Sequence, residues 1–210
     1  MSAELVRARI DAGPTVPLMW LVVFLGFLLN LADGIDVVAM SVTAPSVAVS
    51  WGLERSALGS LFSSALFGMA IGAAGLAPLS DRLGRRALLV AAIFLVGLSM
   101  LGVSWIASSG SVTLFAMLRF ISGLGIGIIF GSAPALASEF MPSRYRSLAV
   151  SLVVMGYPVG AVIAGPIAYA LIPDYGWPAV FTAGGALTLT IGVVTWILLP
   201  ESPEFLVSRP

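Results

Sequence analysis

The chain has 210 residues, of which 59% are hydrophobic and only 10% charged, with ten basic and ten acidic side chains and a mean hydropathy of +1.07. Soluble domains are about one quarter charged, so this composition belongs in a bilayer. No Cys and no His are present and every cation is Arg; this excludes thiol nucleophiles, disulfides, His-based metal sites and Ser–His or Ser–Lys enzymes. The zero net charge argues against a nucleic-acid partner.

A bilayer crossing takes about 20 apolar residues. Six segments qualify, at 18–48, 57–79, 87–107, 112–138, 148–171 and 179–199. Residues 1–17 form an N-terminal segment and not a signal peptide, because the apolar run from Val16 is too long and no small-residue cleavage site ends it. Polar breaks separate the spans: Ser50–Ser56 with Glu54 and Arg55, the charge cluster Ser80–Arg86, Ser108–Ser111, Glu139–Ser147 with Pro142, and Pro173–Pro178. The expected fold is all-α, with six transmembrane helices spanning 18–199.

Arginine placement orients the bundle. Arg7 and Arg9 precede the first span, Arg82, Arg85 and Arg86 follow the second, Arg144 and Arg146 follow the fourth, and Arg209 follows the sixth. All fall on one side of an even-numbered topology, while the other side holds only Arg55. The positive-inside rule makes both termini cytoplasmic, in a multi-pass protein of the plasma (inner) membrane.

Small residues recur every four positions: Ser60, Ser64, Gly68 and Gly72 in the second span, Gly123, Gly127 and Gly131 in the fourth, Gly156 and Gly160 in the fifth. Such stripes let helix backbones approach closely in lipid. The third and sixth spans carry no charge, which suits a lipid-facing position. Pro45, Pro134, Pro158 and Pro166 permit bends, and Gly156-Tyr157-Pro158-Val159-Gly160 is a flexing point or a packing feature.

Charge inside the spans marks the functional candidates. Asp33 and Asp36 lie in the first span and Arg119 in the fourth, although each such group costs about 2.5–3.5 kcal/mol at the bilayer centre on insertion scales. On a helix the two acids lie on neighbouring faces, and Asn30 extends their polar stripe by one turn. Burial and a like-charged neighbour both disfavour an ionised carboxylate, so the pair is a candidate proton carrier. Alternatively, one Asp is structural, capping a break at Gly34 or bonding within the helix. Arg119 must meet an acid, a carbonyl or an anionic substrate. Its planar fork matches a substrate carboxylate, and an internal ion pair with a first-span Asp is the other reading.

Pro78-Leu79-Ser80-Asp81-Arg82-Leu83-Gly84-Arg85-Arg86 resembles the signature cytoplasmic loop of the major facilitator superfamily, with Ala77 in place of that pattern's opening Gly. Arg119-Phe120-Ile121-Ser122-Gly123, Glu139-Phe140-Met141-Pro142-Ser143-Arg144-Tyr145-Arg146 and Pro200-Glu201-Ser202-Pro203 resemble further motifs of that superfamily, in order. Gly176-Trp177 with Phe181 resembles another, except that Pro178 replaces an Arg. Asp33-Gly34-Ile35-Asp36 followed by Ala44-Pro45 is similar to an element of the aromatic acid:proton symporter family.

The resemblance implies the N-terminal half of a 3+3 inverted-repeat fold and proton-coupled uptake of an aromatic or other organic acid, with no cofactor and no metal. Coupling and substrate roles fall on Asp33, Asp36, Arg119 and Asn30. Gating roles fall on Asp81, Arg82, Gly84, Arg85, Arg86, Glu139, Arg144 and Arg146. The implied partners are a small organic anion, a proton, the bilayer and a C-terminal six-helix half. Residues 200–210 would begin the central cytoplasmic linker. A general sugar or metabolite porter, or a truncated non-transporting remnant, are the alternatives. A cut reading frame, a fragment or a half that pairs with another chain would each account for the missing half.

Overall fold

Apolar backbone in hydrocarbon must satisfy its own hydrogen bonds, and each of the six runs does so as a helix in a computed structural model that describes residues 3–208. Arg209, used in the charge count, lies outside the described residues. A short α1 (Ala3–Ala12) precedes α2 (Pro17–Trp51), α3 (Arg55–Ile71), α4 (Ser80–Leu83), α5 (Arg85–Trp105), α6 (Val112–Phe140), α7 (Ser143–Tyr175), α8 (Pro178–Leu198) and a short α9 (Pro203–Ser208). Pro17 opens α2 at a position that needs no N–H. Gly52, at φ 61°, ends it in the left-handed conformation that glycine adopts without strain.

The second span is one continuous path from Arg55 to Leu83, but its ladder changes pitch. Pro78 supplies no N–H. Just ahead of it the chain makes a π-type turn over Gly72–Leu76, with the Ala77 N–H bonded to the Gly72 carbonyl, and then a tight turn over Ala77–Leu79.

Most breaks are shorter than the sequence suggests. Glu139 and Phe140 belong to α6, so only Met141 and Pro142 separate it from α7. Pro173 lies inside α7, and Gly176 and Trp177 alone divide α7 from α8. A helix does not stop where its hydropathy does, because polar turns can project beyond the lipid. Pro45, Pro134, Pro158 and Pro166 all lie within unbroken helices.

Packing repeats itself in a way that exposes internal symmetry. The main pairs are α2 with α7, α3 with α6, and α5 with α8, followed by α5 with α6 and α2 with α8. Exchanging the first three spans for the last three maps this set onto itself. The bundle is a 3+3 repeat, as in the half-folds of membrane transporters.

Glycines make the two equivalent crossings close. A Cβ at Gly34 would overlap the Tyr157 carbonyl, and one at Gly160 the Leu31 carbonyl, so α2 and α7 touch backbone to backbone. Gly68, Gly123 and Gly127 do the same between α3 and α6. Gly34 therefore serves packing and marks no break, since α2 runs through it. Gly156 and Gly160 likewise pack on α2. The outer part of the second-span stripe behaves differently: Ser60 and Ser64 bond back to their own helix, at Ala57 and Leu61.

The third and sixth spans, uncharged over 87–107 and 179–199 and carried by α5 and α8, are not the least covered ones. Each is 44% buried over its most apolar window, against 17% for the second span and 28% for α7. α5 and α8 cover one another and also lean on α6 and α2, whereas α3 has α6 as its one large partner. Leu66, Phe67 and Ile71 on α3, and Val162 and Tyr169 on α7, stay exposed.

Candidate functional site

Asp36 on α2 faces Arg119 on α6 in the middle of the bundle, with exposures of 0% and 2%. The Arg119 Nη2 pairs with the Asp36 Oδ2, and Nη1 donates to the Asp36 backbone carbonyl at 3.4 Å. Ser122, one helical turn along α6, donates to the same Asp36 Oδ2 at 2.7 Å and accepts from Nη2 at 3.1 Å. The guanidinium carbon lies 5.8 Å from the Phe181 ring centroid on α8, within cation–π range. One acid, one base, one hydroxyl and one ring thus tie α2, α6 and α8 together. In the sequence only the helical spacing of three from Arg119 hints at a role for Ser122.

Asp33 does not join this centre. It is fully buried, and neither carboxylate oxygen has a hydrogen-bond partner among the described residues. Asn30 donates to the Gly26 carbonyl at 3.0 Å, while its own Oδ1 is unmatched. The two aspartates, one turn apart, therefore sit in opposite circumstances: one ion-paired, one alone.

Towards the end of the bundle away from the termini, Trp51, Phe115, Trp177 and Phe181 form an aromatic plug. Phe115 and Trp177 stack at 5.9 Å, and Phe181 meets both edge to face. The indole N–H groups are satisfied by the Ala107 carbonyl at 2.9 Å and the Ser50 hydroxyl at 3.0 Å. Through Phe181 this plug reaches Arg119.

The opposite end holds the second polar cluster. Arg85 pairs with Glu139 at 2.5 Å and with Asp81 at 3.1 Å. The Ser202 hydroxyl bonds the other Glu139 oxygen. Gly84, at φ 101°, turns α4 into α5 against the Glu201 carboxylate, and the Arg86 N–H donates to Glu201 at 3.1 Å. The Arg86 side chain caps the Trp196 carbonyl at 2.7 Å. Arg144 donates to the Gly13 carbonyl at 3.3 Å, Arg146 keeps a buried Nε without a partner among the described residues, and Arg82 is exposed.

Arg7 joins this cluster from α1. It donates to the Ser138 and Glu139 carbonyls at 3.3 Å and faces Glu204 at 3.6 Å, placing a cation at the C-terminal end of α6 where the helix dipole favours one. Asp11 accepts from the Ser143 N–H at 2.7 Å, at the start of α7. Sequence reasoning used Arg7 only for topology and gave Asp11 no role. Nothing in their spacing shows that α1 folds back onto α6 and α7.

No group of three or more acidic side chains set to hold a metal occurs among the described residues. Residues 22–208 match the family model described as Major Facilitator Superfamily. A 4-hydroxybenzoate transporter from Pseudomonas aeruginosa is 42% identical over 204 residues, covering 97% of this chain and 45% of the relative. A gallate transporter from Pseudomonas putida is 38% identical with the same coverage. A benzoate transport protein from Acinetobacter baylyi is 32% identical, over 100% of this chain and 45% of its own length. Among solved structures, a proton:xylose symporter bound to 6-bromo-6-deoxy-D-glucose superposes with a TM-score of 0.81 at 26% identity, over 91% of this chain and 46% of that one. The chain spans about half the length of the curated relatives it matches.

Proposed function

This chain belongs to the major facilitator superfamily, and from that premise we propose that it forms the N-terminal half of a secondary transporter taking up an aromatic carboxylate together with a proton. The observation that carries the reading is the Asp36–Arg119–Ser122 centre beside an unpartnered Asp33. Relatives that transport 4-hydroxybenzoate, gallate and benzoate support the substrate class. The second half would cover the exposed faces of α3 and α7 and supply the other wall of the cavity.

In this reading Asp36 is the resident counter-ion of Arg119. A substrate carboxylate presents the same two-oxygen face to the guanidinium and displaces it. Asp33 is the proton site: an anion there has no donor and no cation among the described residues, so the neutral acid is the form that a dry interior tolerates. Asn30 lies one turn before Asp33 and keeps the stripe polar. Proton and anion entering together leave the bundle's charge unchanged.

The cluster of Arg85, Asp81 and Glu139 is the cytoplasmic latch, with Gly84, Arg86, Arg144 and Arg146 shaping the loops around it and Arg82 facing the surface. Both termini are assigned to the cytoplasm of a bacterial inner membrane, with 1–17 as the N-terminal segment, 18–199 as the transmembrane domain and 200–210 opening the linker. Reporter fusions after Glu54 and after Arg146 check the topology: they should fall on opposite sides, and the same side for both would refute it. Uptake of labelled 4-hydroxybenzoate by vesicles, with and without an imposed pH gradient, checks the activity. Accumulation that follows the gradient supports the reading, and uptake that ignores it removes the proton.

A further inference from the structure

Beside Arg119 lies a cavity of about 90 Å3 that neither the ion pair nor the glycine crossings fill. Its walls are apolar side chains of α2, α3 and α6, among them Val37, Met40, Phe62, Met69 and Ile126; among the described residues Arg119 is the single lining one with a polar side chain. α2 and α3 barely touch, which is why the space between them stays open. A second observation points to a ligand. The Nε of Arg119 is buried and has no hydrogen-bond partner among the described residues, although Nη1 and Nη2 are both engaged. A side-on carboxylate uses Nε together with one Nη, so the guanidinium has one donor still to place.

We propose that this cavity is the ring subsite of the transporter, holding the aryl group of a monocarboxylate while Arg119 takes its carboxylate. The proposal rests on the aromatic-acid reading above and locates that substrate within this half. An apolar pocket with one fixed cation fits an amphiphilic anion and rejects a polyhydroxylated sugar, whose hydroxyls would find no partners on these walls. Phe62 offers an aromatic face or edge to the ring, and Met40 and Met69 offer polarisable sulfur.

Size links the subsite to the ion pair. An apolar cavity of roughly 150 Å3 takes up benzene, and this one is smaller while Arg119 is held by Asp36. The guanidinium is itself one wall, so its transfer to the substrate enlarges the space. Ring entry and release of Asp36 are then one event. Ring hydroxyls gain nothing from these walls, so discrimination among hydroxybenzoates arises outside this subsite.

The test uses the complete transporter in which this sequence forms the N-terminal half. Val37→Phe fills the cavity and should raise KM for benzoate by about tenfold, the scale of a lost apolar subsite, while maximal rate stays within about threefold. Phe62→Ala enlarges it and should shift preference from benzoate towards 2-naphthoate by about fivefold. Wild-type KM and preference in both variants would overturn the subsite while leaving aromatic-acid transport standing. A lower maximal rate at unchanged KM for both would show a structural effect only, and overturns it equally. No uptake of benzoate or 4-hydroxybenzoate by the unmodified transporter overturns the functional reading, and the subsite with it.

Discussion

The same chemistry occurs twice in this bundle, at two depths. In the middle, Arg119 meets Asp36 with Ser122 donating to the acid; at the terminal end, Arg85 meets Glu139 with Ser202 donating to it. The surroundings differ. Arg119 and Asp36 have side-chain exposures of 2% and 0%, while Arg85 and Glu139 stand at 18% and 7% and recruit Asp81 as a further acid. The inner pair has one acid per cation and no water to fall back on, so any group that breaks it must replace it. The outer cluster is part solvated and built from five segments, which suits a contact that opens and closes. On the proposed reading, depth separates a binding centre from a latch.

Removing one partner from each pair is the strongest challenge to this comparison. Asp36→Ala leaves a buried guanidinium unpaired and should destabilise the bundle by about 3–5 kcal/mol, read as a fall in thermal unfolding temperature in detergent. Glu139→Ala should cost clearly less, because Arg85 keeps Asp81 and reaches water. Equal losses would erase the distinction. Arg119→Lys keeps the charge but loses the fork. It should weaken carboxylate substrates by about tenfold in KM, or roughly 1.4 kcal/mol, in a transport assay of the complete protein. Arg85→Lys should leave KM unchanged.

At the proposed latch, Asp81→Asn should slow turnover several-fold without altering substrate affinity, since the carboxylate lies at the terminal end of its span, away from the Arg119 level. Unchanged turnover at normal expression would count against the latch. The smallest effect belongs to Ser122→Ala, which deletes one hydrogen bond to Asp36 and should cost about 1 kcal/mol. Ser122→Thr retains the hydroxyl and should restore most of it.

The two regions were unequally legible in the sequence. A charged residue inside an apolar run is visible without a structure, so Asp33, Asp36 and Arg119 stand out. Which Asp meets the Arg is not visible, because residues three apart lie on neighbouring helix faces, and only the rotation of α2 against α6 selects Asp36. That rotation follows from backbone contact of α2 with α7 at Gly34, which the sequence offers only as a possible break, and at Gly156 and Gly160, whose spacing shows a packing stripe but not its partner. The latch was readable as charges at one end. Its closure by Arg7 and Ser202 was not, because α1 and α9 lie some 200 residues apart in sequence and pack on each other. The uneven covering of α3 and α7 was missed for a simpler reason: absence of charge does not reveal how many neighbours a helix has.

In the proposed mechanism the two aspartates divide the work, Asp36 as the ion that substrate displaces and Asp33 as the proton site. The direct measurement compares two assays on Asp33→Asn in the complete transporter: accumulation of labelled 4-hydroxybenzoate driven by a pH gradient, and exchange of internal for external substrate without one. Loss of gradient-driven accumulation with exchange preserved is the predicted result, because exchange needs binding and rocking but no net proton movement. Accumulation that still follows the gradient would contradict it and return Asp33 to a structural role.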